Sequence, residues 1–184
     1  MARTDQTPGI RPRPTIGRRL DVISRHAFPA STTVLVMLLT EMPTGIRGQA
    51  TLLPAVTLAC VWFWSVFRPT AMSPPVVFLI GLLLDLLGYQ PLGVGVFILL
   101  VAHAVALRCR YWLAPRGFAL LWAVFAAVSV VDAALTWLLT VLLTWRLIAP
   151  APVVFQAALT AALYPAIAIP LARAHRSIAD PERA

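Results

Sequence analysis

The stretch that decides the fold is residues 74–95, PPVVFLIGLLLDLLGYQPLGVG, in which one carboxylate, Asp85, interrupts an apolar run. An aspartate at the centre of a membrane helix costs about 2.5–3.5 kcal/mol on insertion scales, so it normally faces protein or water. Gly81 lies four residues before Asp85 and Gly88 three residues after it, so all three share one helical face. Small residues on such a face let another helix approach closely. The pattern therefore predicts a contact surface.

The composition is that of an integral membrane protein. Of the 184 residues, 60% are hydrophobic and only 12% are charged, and the mean hydropathy is +0.83. A soluble domain is usually about half apolar and about one quarter charged. Little chain remains outside the apolar segments. We therefore predict an all-α, polytopic membrane protein that forms a single six-helix transmembrane bundle.

Six candidate spans can be drawn between a flexible cytoplasmic tail at 1–26 and a second cytoplasmic tail at 173–184. Together they make up a membrane domain at 27–172, with predicted spans at 27–42, 50–67, 74–88, 92–107, 117–145 and 153–172. A bilayer core of roughly 30 Å needs about 20 helical residues, and the third and fourth spans fall short of that length. The alternative in which these two form a re-entrant hairpin, with four true spans around them, stays open.

The basic residues indicate the topology. All fifteen are arginines, and they flank the apolar segments instead of forming one solvated stripe, so we predict no nucleic-acid partner despite the formal charge of +8. With the N-terminus inside, thirteen arginines lie on the cytoplasmic side and only Arg47 and Arg146 lie outside. Such an imbalance favours both termini in the cytoplasm.

Aromatic side chains stand near several ends of the predicted spans. Tryptophan and tyrosine are enriched where a membrane meets water. We expect an interfacial position for Trp62, Phe63, Trp64, Tyr111, Trp112 and Trp145. His103, within the fourth span, is expected to be an interior histidine with its hydrogen bonds satisfied.

Two polar stripes follow the fifth and sixth spans, with residues spaced by four. The stripes consist of Asp132, Thr136 and Thr140 on one span and Gln156, Thr160 and Tyr164 on the other. Each set shares a helical face. We predict that the stripes face each other and exchange hydrogen bonds inside the bundle; a small-ligand pocket or a partner contact are the alternatives.

The sequence offers little that would perform catalysis. Asp85 and Asp132 invite comparison with intramembrane aspartyl proteases, but GLLLDLLG and VVDAAL do not match the surroundings that those enzymes give their aspartates. Ser/His/Asp groupings, phosphate-cradling loops and zinc spacings do not rise above chance. We therefore predict a non-enzymatic protein with no catalytic residues, no metal and no cofactor.

Residues 61–103, VWFWSVFRPTAMSPPVVFLIGLLLDLLGYQPLGVGVFILLVAH, resemble the MreD family of rod shape-determining membrane proteins. An apolar-aromatic span ends in Arg68 and Pro69, a short turn follows, and Gly81-x-x-x-Asp85-x-x-Gly88 forms the next helix. Pro91-Leu92-Gly93 then opens another span. The first, fifth and sixth spans match the family only as apolar segments.

The resemblance implies a non-enzymatic scaffold in the bacterial inner membrane that helps to direct lateral peptidoglycan synthesis and rod shape. MreD-like proteins bind MreC, a single-span protein, and through it connect to RodA, a class B penicillin-binding protein and MreB. Membrane lipid is the other expected contact. The partner-interface candidates that follow from this block are Gly81, Asp85, Gly88, Pro91, Gly93 and Arg68.

The family fold is similar to the substrate-binding subunits of energy-coupling-factor transporters, so a vitamin-binding transport subunit is the alternative function. Such a subunit needs an outward-facing cavity lined by polar or aromatic side chains. The outer connections at 43–49, 88–92 and 146–152 are short, and they offer a ligand only Arg47, Tyr89, Gln90 and Arg146. We therefore favour the scaffold.

The predicted topology can be tested with alkaline phosphatase fusions, because the enzyme is active only outside the cytoplasm. We expect an inactive fusion after Ala184 and an active fusion at position 46, since thirteen of the fifteen arginines then lie inside. A fluorescent-protein fusion at Ala184 serves as the reciprocal control. Phosphatase activity at Ala184 would contradict the orientation.

Overall fold

The computed structural model is all-helical over the residues it describes, which are 16–42, 49–88, 91–113, 115–146 and 149–179. The side chains of 16–25, 50 and 176–179 lie outside this description. Within these residues six α-helices follow one another, and a short 3-10 helix, Gln49–Thr51, leads into the second. They are α1 (Ile16–Glu41), α2 (Leu52–Phe67), α3 (Pro74–Leu87), α4 (Val94–Leu113), α5 (Phe118–Thr144) and α6 (Ala151–Ala179). The all-α prediction is confirmed.

Each predicted span corresponds to one of these helices, and the main differences lie at the ends. α1 begins at Ile16, inside the segment predicted as a flexible tail, while α4 and α6 continue past the predicted limits at 107 and 172. The predicted limits follow hydropathy, which marks only the apolar part of a helix. Backbone hydrogen bonding continues into polar residues, and arginine is itself a good helix former.

Three of the described helical segments are long and apolar enough to cross a membrane. These are Val94–Leu113, Phe118–Thr144 and Ala151–His175. α2 and α3 are equally apolar but shorter, with 16 and 14 residues. Large apolar side chains cover much of the outer surface, among them Leu79, Leu86, Leu142 and Val154. Such a surface is consistent with a membrane protein, since lipid tails solvate leucine and valine.

α2 occupies the centre of the structure. Every residue from 55 to 66 is buried, and the helix packs mainly against α1, α4 and α6. α3 lies beside α4, and α5 lies beside α6. Because α2 is apolar on all its faces, burial on every side is the arrangement its sequence favours.

The central position of α2 overturns the interfacial placement expected for Trp62, Phe63 and Trp64. Both tryptophan side chains have 0% of their surface exposed, and Phe63 is also buried. The Trp62 ring lies 6.0 Å from that of Phe125, and the Trp64 ring lies 5.9 Å from that of Phe28. These rings are core residues because neighbouring helices cover all sides of α2. Tyr111, Trp112 and Trp145 are exposed, and their contact with the interface stays a prediction.

A proline inside α6 is compensated by a side chain from α5. Pro165 lacks an N–H group, so the carbonyl of Ala161, one turn earlier, loses its helical donor. The indole Nε1 of Trp122 donates a hydrogen bond to that carbonyl at 2.9 Å. The break in the backbone ladder of α6 thus becomes a link between α5 and α6.

Truncation of Trp64 tests the buried position of α2. We expect Trp64→Ala to lower the free energy of unfolding by about 3 kcal/mol or more, because it leaves a cavity against Phe28 and Phe63. Trp145→Ala is the matched control, since that side chain is 92% exposed, and it should change stability by less than about 0.5 kcal/mol. Unfolding by dodecyl sulfate in mixed micelles measures both; equal effects would contradict the assignment.

Candidate functional site

Asp85 binds the N-terminus of the next helix. It lies in the last turn of α3, is 4% exposed, and accepts three backbone hydrogen bonds from the start of α4. Gly93 donates to Oδ2 at 2.7 Å, Gly95 to Oδ1 at 2.8 Å and Val96 to Oδ2 at 3.4 Å. The first N–H groups of a helix have no acceptor within it, and its N-terminus carries partial positive charge. We call this arrangement the Asp85 cap.

Three glycines make the Asp85 cap possible. Gly93 has φ +95°, a left-handed conformation that glycine adopts at little cost. A Cβ atom at Gly95 would overlap the Asp85 carboxylate, and one at Gly81 would lie 2.6 Å from the Cα of Val96. The small residues therefore let the backbones of α3 and α4 approach each other within the chain.

The structure places the predicted interface residues Gly81, Asp85 and Gly93 in the contact between α3 and α4. The face expected to receive another helix thus contacts α4 of the same chain. The role of these three residues in a partner interface stays a prediction.

The other three interface candidates lie around this hairpin. Pro91 is half-buried in the turn, where its carbonyl accepts the N–H of Val94 at 3.2 Å. Gly88 ends α3 and lines the cavity described next. Arg68 lies at the far end of α2, and its N–H donates to the Trp64 carbonyl at 2.7 Å. The six candidates therefore occupy two ends of the structure.

A cavity of about 400 Å³ lies beside the Asp85 cap, where α3 ends and α4 begins. Leucine, isoleucine, proline and aromatic side chains form most of its wall. Its polar lining comes from the two predicted stripes, namely Asp132, Thr136, Thr140 and Gln156. We call it the Asp132 cavity. Sequence spacing had left a pocket between these helices as an alternative, and the structure contains one.

The hydrogen bonds of the stripes differ from the predicted exchange between α5 and α6. Thr140 donates to the carbonyl of Thr136 at 2.7 Å, and Thr160 donates to that of Gln156 at 2.8 Å, each within its own helix. The Gln156 amide donates to the carbonyl of Thr51 at 3.0 Å, which joins α6 to the start of α2. The stripes therefore line a cavity over part of their length instead of closing on each other.

Tyr164 and Asp132 complete the stripes. The Tyr164 ring is buried and stacks on Phe125 at 4.2 Å, and its hydroxyl has no hydrogen-bond partner among the described residues. Within the same part of the chain, the carboxylate of Asp132 makes no hydrogen bond or ion pair. An unpartnered carboxylate that faces an apolar cavity is an expensive arrangement, and it marks the cavity as the second candidate site.

One polar contact was not anticipated from the sequence. The Oγ of Ser65 lies 2.7 Å from Nδ1 of His103, and both residues are buried between α2 and α4. Nε2 of His103 has no partner in the described structure, so the expectation of a satisfied histidine holds for one ring nitrogen. Ser65 shows no signal in the sequence because a lone serine in an apolar span is common. Among the described residues, no three His, Cys, Asp or Glu side chains form a group that could hold a metal ion.

The fold and the two sites together define an all-helical protein of membrane character, with a capped helix hairpin and an adjoining cavity. Comparisons with protein-family models, with curated proteins and with solved structures give no match. Membership of the MreD family is therefore a proposal, and its basis is the sequence block at 61–103.

Replacement of Asp85 tests the cap. Asp85→Asn turns one acceptor oxygen into an N–H donor that faces the amides of Gly93 or Gly95. We expect it to lower the free energy of unfolding by about 1.5–3 kcal/mol, the range for hydrogen bonds to charged groups. Asp132→Asn is the matched control, because that carboxylate has no described partner and its charge is costly in an apolar cavity, so the change should not lower the free energy of unfolding. Wild-type stability of Asp85→Asn would refute the cap.

Proposed function

We propose that this chain is a non-enzymatic scaffold of the MreD kind in the bacterial inner membrane. In this proposal it binds an MreC-like single-span protein and, through it, acts with RodA, a class B penicillin-binding protein and MreB in lateral peptidoglycan synthesis. The observation that carries the proposal is the Asp85 cap, which is built from the residues on which the family resemblance rests.

The parts of that block act as one structural unit. Gly81, Asp85 and Gly93 lie up to twelve residues apart in sequence, yet they meet at the contact between α3 and α4. If the similarity were only that of two leucine-rich sequences, the matching residues would not be expected to meet at one contact. Their joint use supports the resemblance, and it suggests that the block shapes a rigid hairpin that a partner recognises.

The geometry also favours a non-enzymatic role. An aspartyl protease needs two carboxylates that share a site, but both oxygens of Asp85 accept backbone amides. Asp132 lines the cavity while Asp85 does not. The buried Ser65–His103 pair lines neither the Asp132 cavity nor the smaller cavity beside Phe63 and Phe118.

The proposed topology has six crossings with both termini in the cytoplasm. If α1 to α6 cross in alternate directions, the inner helix ends carry Arg68, Arg108, Arg110 and Arg173. This agrees with the excess of basic residues that cytoplasmic segments of membrane proteins carry. Gly88, Gly95 and Pro152 then lie at outer helix ends, so the Asp132 cavity is on the outer side. α3 and α4, the two shorter predicted spans, pack against each other, and α4 also packs on α2 and α5.

The Asp132 cavity favours a second candidate, the vitamin-binding subunit of an energy-coupling-factor transporter. The short outer connections argued against such a pocket, but helix residues supply its walls instead of loops. Its volume of about 400 Å³ lies within the usual range of roughly 300–1,000 Å³ for small-molecule sites. The two candidates differ in what each must bind.

Affinity purification from the native membrane separates them. A scaffold should co-purify with an MreC-like single-span protein, and the chain should restore rod shape to a round-cell deletion strain. Asp85→Asn at wild-type abundance should weaken both readouts. Leu142→Ala truncates a 58% exposed side chain on α5, outside the hairpin, and should weaken neither. Co-purification of an ATPase pair, with thermal stabilisation by a vitamin at micromolar concentration, would instead support the transporter.

A further inference from the structure

We propose that the Asp132 cavity binds an organic cation, an ammonium or guanidinium group on a small apolar body, with Asp132 as its counter-ion. The scaffold role does not assign this site. The proposal rests on the cavity that favours the second candidate function, and it names the chemical class of the ligand.

The charge of the cavity points to a cation. Asp132 is the only ionisable side chain among the described residues that line it, and it has no described partner. A carboxylate in apolar surroundings is stabilised in its charged form by an opposite charge nearby. The chain supplies no such charge at the described wall, so a bound cation would complete the site.

The other polar groups of the cavity wall also suit a ligand that carries hydrogen-bond donors. The amide N–H₂ of Gln156 donates to the Thr51 carbonyl, which leaves its Oε1 as an acceptor. The hydroxyl hydrogen of Thr140 is used by the Thr136 carbonyl, so its oxygen can only accept. Ammonium and guanidinium groups carry donors and no acceptor, so they suit the acceptor oxygens that Asp132, Gln156 and Thr140 offer in this wall. A carboxylate or phosphate would find no cation there.

The apolar side chains of the cavity wall suit the apolar part of the proposed ligand. Trp137 and Phe155 line the cavity together with Leu58 and Leu84. Aromatic rings attract cations through their negative faces, and aliphatic side chains pack against an apolar body. One and the same chemistry could come from a free amphiphilic amine or from a basic side chain of a partner protein.

Phenylguanidinium and phenylurea form a matched pair of probes, because they have nearly the same shape and differ in charge. Binding is measured by equilibrium dialysis with the purified full-length chain in detergent at pH 7. We expect the wild-type chain to bind phenylguanidinium about tenfold or more tightly than phenylurea, as a charge-assisted contact requires. Equal affinities, or binding of neither probe, would overturn the proposal.

Two carboxylate variants locate the site. Asp132→Asn should remove the preference for phenylguanidinium while its thermal unfolding is not shifted below that of the wild type. Glu41→Gln removes a carboxylate at the end of α1, outside the cavity wall, and should retain the preference. A preference that survives Asp132→Asn, or that disappears in Glu41→Gln alone, would refute Asp132 as the counter-ion.

The same measurement on the complex with the single-span partner distinguishes the sources of the cation. Exclusion of phenylguanidinium from the complex supports a basic side chain of the partner in the cavity, whereas unchanged binding supports a free amine. Co-purification of the partner without any cation preference in the isolated chain would overturn this proposal and leave the scaffold intact. A cation preference in the isolated chain without co-purification of the partner would support the cavity assignment and contradict the scaffold.

Discussion

The position of α3 against α4 depends on one carboxylate and three backbone amides. The start of α4 is buried against α3, and a buried N–H group without an acceptor costs about 1–3 kcal/mol. A buried Asp85 carboxylate without these N–H groups would also be unfavourable. It lies at the C-terminal end of α3, where the helix dipole disfavours negative charge. The Asp85 cap satisfies both ends at once. Neither helix is electrostatically satisfied without the other.

This constraint reaches the rest of the structure through α4. α4 packs on the central helix α2 and on α5, so fixing its start relative to α3 also fixes one wall of the Asp132 cavity. Gly95, whose N–H binds Asp85, lines that cavity, and so does Gly88 at the end of α3. The two candidate sites therefore share Gly95, and a change in the hairpin alters the shape of the cavity.

For the described residues, the sequence predicted the number and order of the helices, because prolines, glycines and arginines separate its apolar runs. Periodicity also shows which residues share a face, as it did for Gly81 with Asp85 and for Asp132 with Thr136. It does not show what covers that face. The covering helix for Gly81 is α4, and the space in front of Asp132 is a cavity; both follow from tertiary packing.

Trp62 and Trp64 also show that the sequence does not reveal which neighbours cover a helix. Their closeness to the end of an apolar segment resembled an interfacial position, but depth along a helix says nothing about its place among neighbours. α2 lies at the centre, so its tryptophans serve as core residues even though their indole N–H groups find no described acceptor. Ser65 was missed for a related reason, since its partner His103 is 38 residues away in sequence.

The link between Pro165 and Trp122 has an evolutionary consequence. A chain that lost Trp122 first would leave the Ala161 carbonyl bare in an apolar environment, whereas a chain that first replaced Pro165 would regain the backbone donor and no longer need the indole. Substitution is thus easier in one order than in the other. Among relatives of this chain, the two positions are expected to covary, with proline at 165 accompanied by a donor side chain at 122.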